Sequence, residues 1–182
     1  FALKSWDRKN PDQPRKTYFR QNAALCEDVV FKHLTTKDVG NKSQHIAIYP
    51  VNTDNTTMFA CIDVDDHTGV YQDAVLPLAQ KIAGKLTDAG LNAFIERSQG
   101  GLGYHVWSFF SALVESKKLR AVIFYLLNEE LIKRSGTPTL EVFPKQGHVV
   151  DYGSAIALPY GCGSKSTFYA NNNPDQSVSL EQ

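Results

Sequence analysis

The chain has 182 residues, enough for one compact domain, and its 42% hydrophobic and 21% charged residues form an ordinary mix able to bury a core. Nineteen basic residues balance nineteen acidic ones, so no global field recruits a polyanion, and no apolar run nears the ~18 residues of a membrane span. Cys26, Cys61 and Cys162 are far apart with no Cys-x-x-Cys pair, which indicates neither a disulfide framework nor a zinc site. A reducing, cytoplasmic setting is expected.

The first residue is Phe1, so the chain is expected to be a piece of a longer polypeptide with further domains outside it. Residues 1–20 contain Pro11 and Pro14 and are expected to be irregular. Lys4, Arg8, Lys9, Arg15, Lys16 and Arg20 are interleaved there with Trp6, Tyr18 and Phe19. Such a mix suits a solvated arm, or a groove that takes the phosphates and bases of a single strand. A helix is expected over 21–36 and a strand over 45–50, ending at Pro50. TTMFACIDVD (56–65) is rich in apolar and β-branched residues and predicts a strand. Val75, Leu78, Ala79, Ile82, Ala83, Leu86 and Ala89 recur at helical spacing up to Gly90, and Pro77 either opens or kinks that helix. LNAFIER (91–97) predicts a strand, SQGGLG (98–103) a glycine-rich turn, and YHVWSFF (104–110) the next strand. Leu119, Val122, Ile123, Leu126, Leu127 and Leu131 predict a second helix, with Lys133 and Arg134 in its last turn and Gly136 after it. Strands are expected at 139–143, 154–158 and 166–170, and NNNPDQ forms a closing loop.

From 56 to 143 the expected order is β-α-β-β-α-β, an RRM-like split βαβ unit. Right-handed crossovers place its strands as fourth, first, third, second, each antiparallel to its neighbours. The fold class is therefore α/β in the α+β sense. One domain spans 1–182, with an N-terminal α/β module (1–55) packed over the RRM-like module and C-terminal strands (56–182), and a cleft between them.

That topology brings chemistry to one sheet end. Strand one ends in Asp63 and Asp65, strand three starts at His105, and strand four starts near Glu141. Asp63 and Asp65 are two apart and share a face. Carboxylate oxygens are what Mg²⁺ or Mn²⁺ prefer, and two such ions about 3.5–4 Å apart serve in-line displacement at phosphorus. A neighbouring histidine can donate to a phosphate oxygen. DVDDHTG fails as an EF-hand loop, because His67 and Thr68 replace the needed oxygen ligand and glycine. The same face carries Phe59, Cys61, Trp107, Phe109 and Phe143, which need a cover, so both helices are expected on the other face. GCGSKSTFY (161–169) is not a Walker loop, but its glycines and Lys165 suit either a triphosphate cradle or a surface turn.

Together IAIYPVN, FACIDVDD, FIERSQGGLGYHVWSFF, EVFPKQ, GSAIALPYG and NPDQ, in this order over 45–176, resemble the archaeo-eukaryotic primase superfamily. The nearest resemblance is to its TOTE conflict-system and CRISPR-associated primase-polymerase branch. The resemblance implies a template-dependent nucleotidyltransferase, a DNA primase-polymerase acting on dNTPs or NTPs and single-stranded or primed DNA, with two Mg²⁺ or Mn²⁺ ions and no zinc. It implies Asp63, Asp65 and Glu141 as catalytic metal ligands and His105 as a phosphate contact. Arg97, Ser98, Lys145, Gln146 and Lys165 match its nucleotide-side positions. Gly103 and Gly100 depart from the serines usual in such relatives. A non-catalytic RRM-like nucleic-acid-binding module and a metal-dependent sugar-nucleotide transferase are the rival readings, but the second gives His105 and Glu141 no reason to converge.

Overall fold

The computed structural model describes residues 1–6, 16–37, 42–66, 68–128, 130, 138–149 and 153–179. Arg8, Lys9, Pro11, Pro14, Arg15, His67, Leu131, Lys133, Arg134 and Gly136 lie outside them. The fold is mixed α/β with two antiparallel sheets and, among the described residues, three α-helices.

Where irregular chain was expected, residues 2–6 and 16–20 form strands. β1 (Ala2–Trp6) pairs antiparallel with β2 (Lys16–Arg20) and, on its other side, with β3 (Lys42–Ile48). The prolines fall between the two strands and interrupt neither, while Ala2 packs at 1% exposure opposite Ala47. α1 (Glu27–Thr35) lies between β2 and β3, shorter at its start than the expected 21–36. Its Glu27 and Asp28 in the first turn and Lys32 in the last suit the helix dipole. β8 (Ile156–Ala157) completes this sheet in the order β2-β1-β3-β8.

The second sheet holds β4 (Thr56–Asp65), β5 (Phe94–Arg97), β6 (Tyr104–Glu115), β7 (Thr139–Phe143), β9 (Thr167–Tyr169) and β10 (Ser177–Val178). Its order is β10-β9-β5-β6-β4-β7, so the four strands between 56 and 143 lie fourth, first, third, second, as right-handed crossovers predicted. β6 runs five residues further than YHVWSFF, and β10 follows the NNNPDQ loop (171–176), where no strand was expected. α2 (Gln72–Asp88) and α3 (Ser116–Leu126) both pack on one face of the sheet. Val75, Ala79, Ile82, Ala83 and Leu86 of α2 and Leu119 and Ile123 of α3 close over Ile62, Val64, Ile95, Val106 and Val142. Pro77 sits within α2, past its first turn, and does not end it.

The opposite face carries the second core. Cys61, Trp107 and Phe143 pack with Ile156, Ile48, Phe59 and Phe168, so the first sheet covers the lower part of this face through β3 and β8. The cover stops short of Phe109, which stacks on Trp107 at 5.7 Å and 4° yet stays half exposed. No helix among the described residues is long and apolar enough to cross a membrane.

Candidate active site

The candidate site is one rung of the second sheet. Reading across five strands, the directly opposed residues are Phe168 (β9), Glu96 (β5), His105 (β6), Asp63 (β4) and Glu141 (β7). Opposed residues in antiparallel strands hold their Cβ atoms about 4.5–5.5 Å apart. Asp63 thus has His105 on one side and Glu141 on the other, and the apolar residues between rungs turn toward the helices.

His105 is buried at 6% exposure between two carboxylates. Its Nδ1 lies 2.9 Å from Glu96 Oε2, and its Nε2 lies 3.6 Å from Asp63 Oδ1. Burial alone lowers the imidazole pKa, but the hydrogen bond and charge of Glu96, then the charges of Asp63 and Asp65, outweigh it and hold the pKa above its ordinary value. In the protonated state both ring nitrogens donate, with Nε2–H on the Asp63 side.

Asp65 stands two residues further along β4, beside the start of β6. A Cβ added at Gly103 would lie 3.0 Å from Val64 O and 3.2 Å from Asp65 Oδ1, so a glycine there lets the Asp65 carboxylate sit against the hairpin. Glu141 is half exposed and its Oε2 lies 2.6 Å from Lys145 Nζ, which also stands 4.9 Å from the Phe143 ring centroid. The three carboxylates are hard oxygen donors on adjacent strands, in kind what a divalent cation takes. Among the described residues, however, no three His, Cys, Asp or Glu side chains converge closely enough to hold one ion together.

The remaining sequence-derived positions surround the row in different ways. Arg97 is one residue past the rung, opposite Tyr104 and Thr167, and its Nε donates to Gly101 O at 3.1 Å. Ser98 Oγ accepts from Gly103 N at 3.2 Å, bracing the same glycine hairpin. Lys165 N donates to Gln99 O at 3.1 Å, and the lysine stem crosses Gly101 so closely that a Cβ there would lie 2.5 Å from Lys165 Cδ. Gly101 also has φ of +78°, a second reason for glycine. The Gln146 amide lies where a Cβ at Gly153 would fall, which ties it to the segment leading into β8 rather than to the rung.

Sequence reasoning passed over Glu96 and its partner Ser166. Glu96 is 1% exposed and accepts from His105, from Trp107 Nε1–H at 2.7 Å and from Ser166 Oγ–H. A glutamate in the middle of the short apolar strand FIER, one strand from His105, was the available signal. The third acid of DVDD, Asp66, serves elsewhere, since it accepts from Thr68 and Tyr71 N and so shapes the entry to α2. A cavity of about 950 Å³ lined by Phe1, Leu25, Tyr49, Asn52, Asp54 and Val149 shares no residue with the rung and lies near the opposite end of β4.

Comparison with the curated proteins finds no match. Against protein families, the model described as the TOTE conflict system, Archaeo-Eukaryotic Primase domain, matches residues 2–175. The match takes in every strand except β10 and every residue of the rung, and with it the chain belongs to the archaeo-eukaryotic primase domain family of TOTE conflict systems, whose members point to primase-type nucleotidyl transfer.

Proposed function

We propose that the chain is the catalytic domain of a template-dependent primase-polymerase, which joins dNTPs or NTPs to a 3′-hydroxyl on a DNA template with release of pyrophosphate. The supporting observation is the alignment of Glu141, Asp63 and His105 on one rung, with Asp65 two residues along the same face. In this reading β4 to β7 with α2 and α3 form an RRM-like catalytic module, the first sheet is its cover, and the setting is cytoplasmic.

Asp63, Asp65 and Glu141 would hold two Mg²⁺ or Mn²⁺ ions, with Glu141 leaving Lys145 to do so. Such ions, when bound, supply charge neutralisation at the triphosphate and acidify the attacking hydroxyl. The protein's own groups position and neutralise. In its protonated form His105 donates Nε2–H to a phosphate oxygen beside Asp63, a charge-assisted bond in a site whose Glu96 side is buried. Lys145 and Lys165 offset phosphate charge from either side of the row, while Arg97 and Ser98 keep the glycine hairpin in shape for the nucleotide. Phe109 and Phe94, about half exposed on the same face, offer rings for stacking a base of the template strand.

The test is extension of a labelled primer on a DNA template with dNTPs and Mn²⁺, using the parent, Asp63→Ala and Glu141→Ala. The parent should extend and both variants should lose activity by about 10³-fold or more. Equal extension by variants and parent would reject the mechanism. A parent that binds DNA but never extends it would leave the non-catalytic binding module as the better reading.

A further inference from the structure

We propose that Glu96 is the positioning residue of this site: its two carboxylate oxygens set the ring of His105 and the seat of the Lys165 turn together. The functional meaning of this rests on the nucleotidyl-transfer reading, but the geometry does not. Glu96 lies on a strand whose neighbour Ile95 is fully buried in the helix-side core, and it is itself only 1% exposed. A carboxylate at such depth is costly unless its lone pairs are taken up, and an apolar side chain would fill the space more cheaply. Here both oxygens are taken up, by donors from two separate elements.

Oε2 faces β6. It accepts from Trp107 Nε1–H at 2.7 Å, and an indole nitrogen can only donate. The same oxygen lies 2.9 Å from His105 Nδ1, so that nitrogen carries a hydrogen and Nε2 is the one turned to Asp63. The Trp107 ring stands edge-on to the imidazole at 5.9 Å and 89° and packs against it. Oε1 faces the other way, to Ser166. That hydroxyl donates to Glu96 and accepts from Tyr160 N at 2.8 Å, closing the turn from Tyr160 to Ser166 that carries Gly161, Gly163 and Lys165. The far side of the turn has its own anchors, because His33 Nε2 meets Pro159 O at 2.8 Å and His45 Nε2 meets Cys162 O at 3.0 Å. The Lys165 side of the turn is held by Ser166, by the bond from Lys165 N to Gln99 O, and by Ser164, whose N–H donates to Gly161 O and whose Oγ accepts from Ser166 N. One buried carboxylate therefore spans the imidazole on one side of the rung and the lysine turn on the other.

Three variants separate this from a merely structural role: Glu96→Gln, Glu96→Leu and Ser166→Ala. The first readout is the ¹⁵N NMR signature of the His105 ring in protein free of nucleotide and metal, at a pH high enough to keep the ring neutral. The second is KM for dNTP and kcat in primer extension. The parent should show the Nδ1–H tautomer. Glu96→Gln should keep it, since the amide oxygen can still accept from His105 and Trp107, and should extend within about tenfold of the parent. Glu96→Leu should shift the ring toward Nε2–H and lower kcat/KM about 10- to 100-fold. Ser166→Ala should leave the tautomer alone and raise KM for dNTP about tenfold with kcat little changed.

A parent already in the Nε2–H form would overturn the proposal, as would an unchanged tautomer or unchanged kinetics in Glu96→Leu. Should Glu96→Leu fail to fold, a parent-like KM in Ser166→Ala overturns the shared seat. If the parent extends no primer, the polymerase reading falls, and the NMR signature still decides what Glu96 does.

Discussion

Replacing Gly103 by alanine tests how closely the acids depend on the hairpin beside them. The new Cβ would meet Val64 O at 3.0 Å and Asp65 Oδ1 and Cγ at 3.2 and 3.3 Å. Val64 is fully buried in β4 between β6 and β7, so its carbonyl cannot retreat. The Asp65 carboxylate is what gives way, by a few tenths of an ångström. Overpacking of this kind costs about 1–3 kcal/mol, and exchanging glycine for alanine returns about 0.4–1 kcal/mol through the unfolded chain. The net loss of about 1 kcal/mol should lower Tm by about 2–4 °C in a domain of this size. Activity should suffer far more, by about tenfold or beyond, because catalytic geometry tolerates little displacement. Calorimetry, primer extension and the rise in Tm on adding Mn²⁺ measure the three consequences. Parent-like extension together with a parent-like Mn²⁺ response would refute the reasoning, since Asp65 would then have moved without effect.

Two further outcomes concern stability. Ile62→Ala empties a fully buried position between the sheet and its helices, and should cost about 2–5 kcal/mol in urea unfolding with every side chain of the rung unchanged. Burial pushes the Glu130 carboxyl up, but Lys85 and Lys81, each 2.9 Å away, outweigh it and hold its pKa down to about 2. A depressed carboxyl stabilises the fold above its unfolded pKa of 4.5 and loses that contribution as pH falls toward 2. Because Lys81 is mostly solvated, the effect is of order 1–2 kcal/mol. Glu130→Gln should therefore be less stable than the parent at pH 7 and converge with it near pH 2, as urea titrations across pH would measure.

Much of the fold could be read from the sequence because its central strands and helices are locally consistent. TTMFACIDVD and TLEVF combine β-branched content with clear ends, and both coincide with the strands found. The two-residue spacing of Asp63 and Asp65 fixed their common face, and right-handed crossovers then left one sheet order that placed His105 and Glu141 beside them. What stayed hidden depends on pairing. β1 is held by β2 on one side and β3 on the other, and the prolines between β1 and β2 masked alternation that only a partner strand makes worthwhile. Glu96 reads as a solvent-facing charge in a four-residue strand until register sets it opposite His105. Asp66 reads as a third acid of the cluster until its bonds to Thr68 and Tyr71 turn it toward α2.

The rung also bears on how this domain can change over time. Its residues come from separate strands and stay level only while the strand registers hold, which a tight hairpin makes sensitive to its own length. The hairpin at 98–103 joins β5 to β6, and losing one residue there with the strands re-paired would turn Tyr104 and Val106 to the acid face and His105 and Trp107 to the helices. A change of two would restore the faces but carry His105 about 6.8 Å past Asp63. Substitutions within the loop can alter the surroundings of the proposed nucleotide site gradually, whereas insertions and deletions there take the rung apart in one step. Loop length is thus the more rigid inheritance, and variation in this family's chemistry would be expected to enter through side chains, as Gly100 and Gly103 already illustrate.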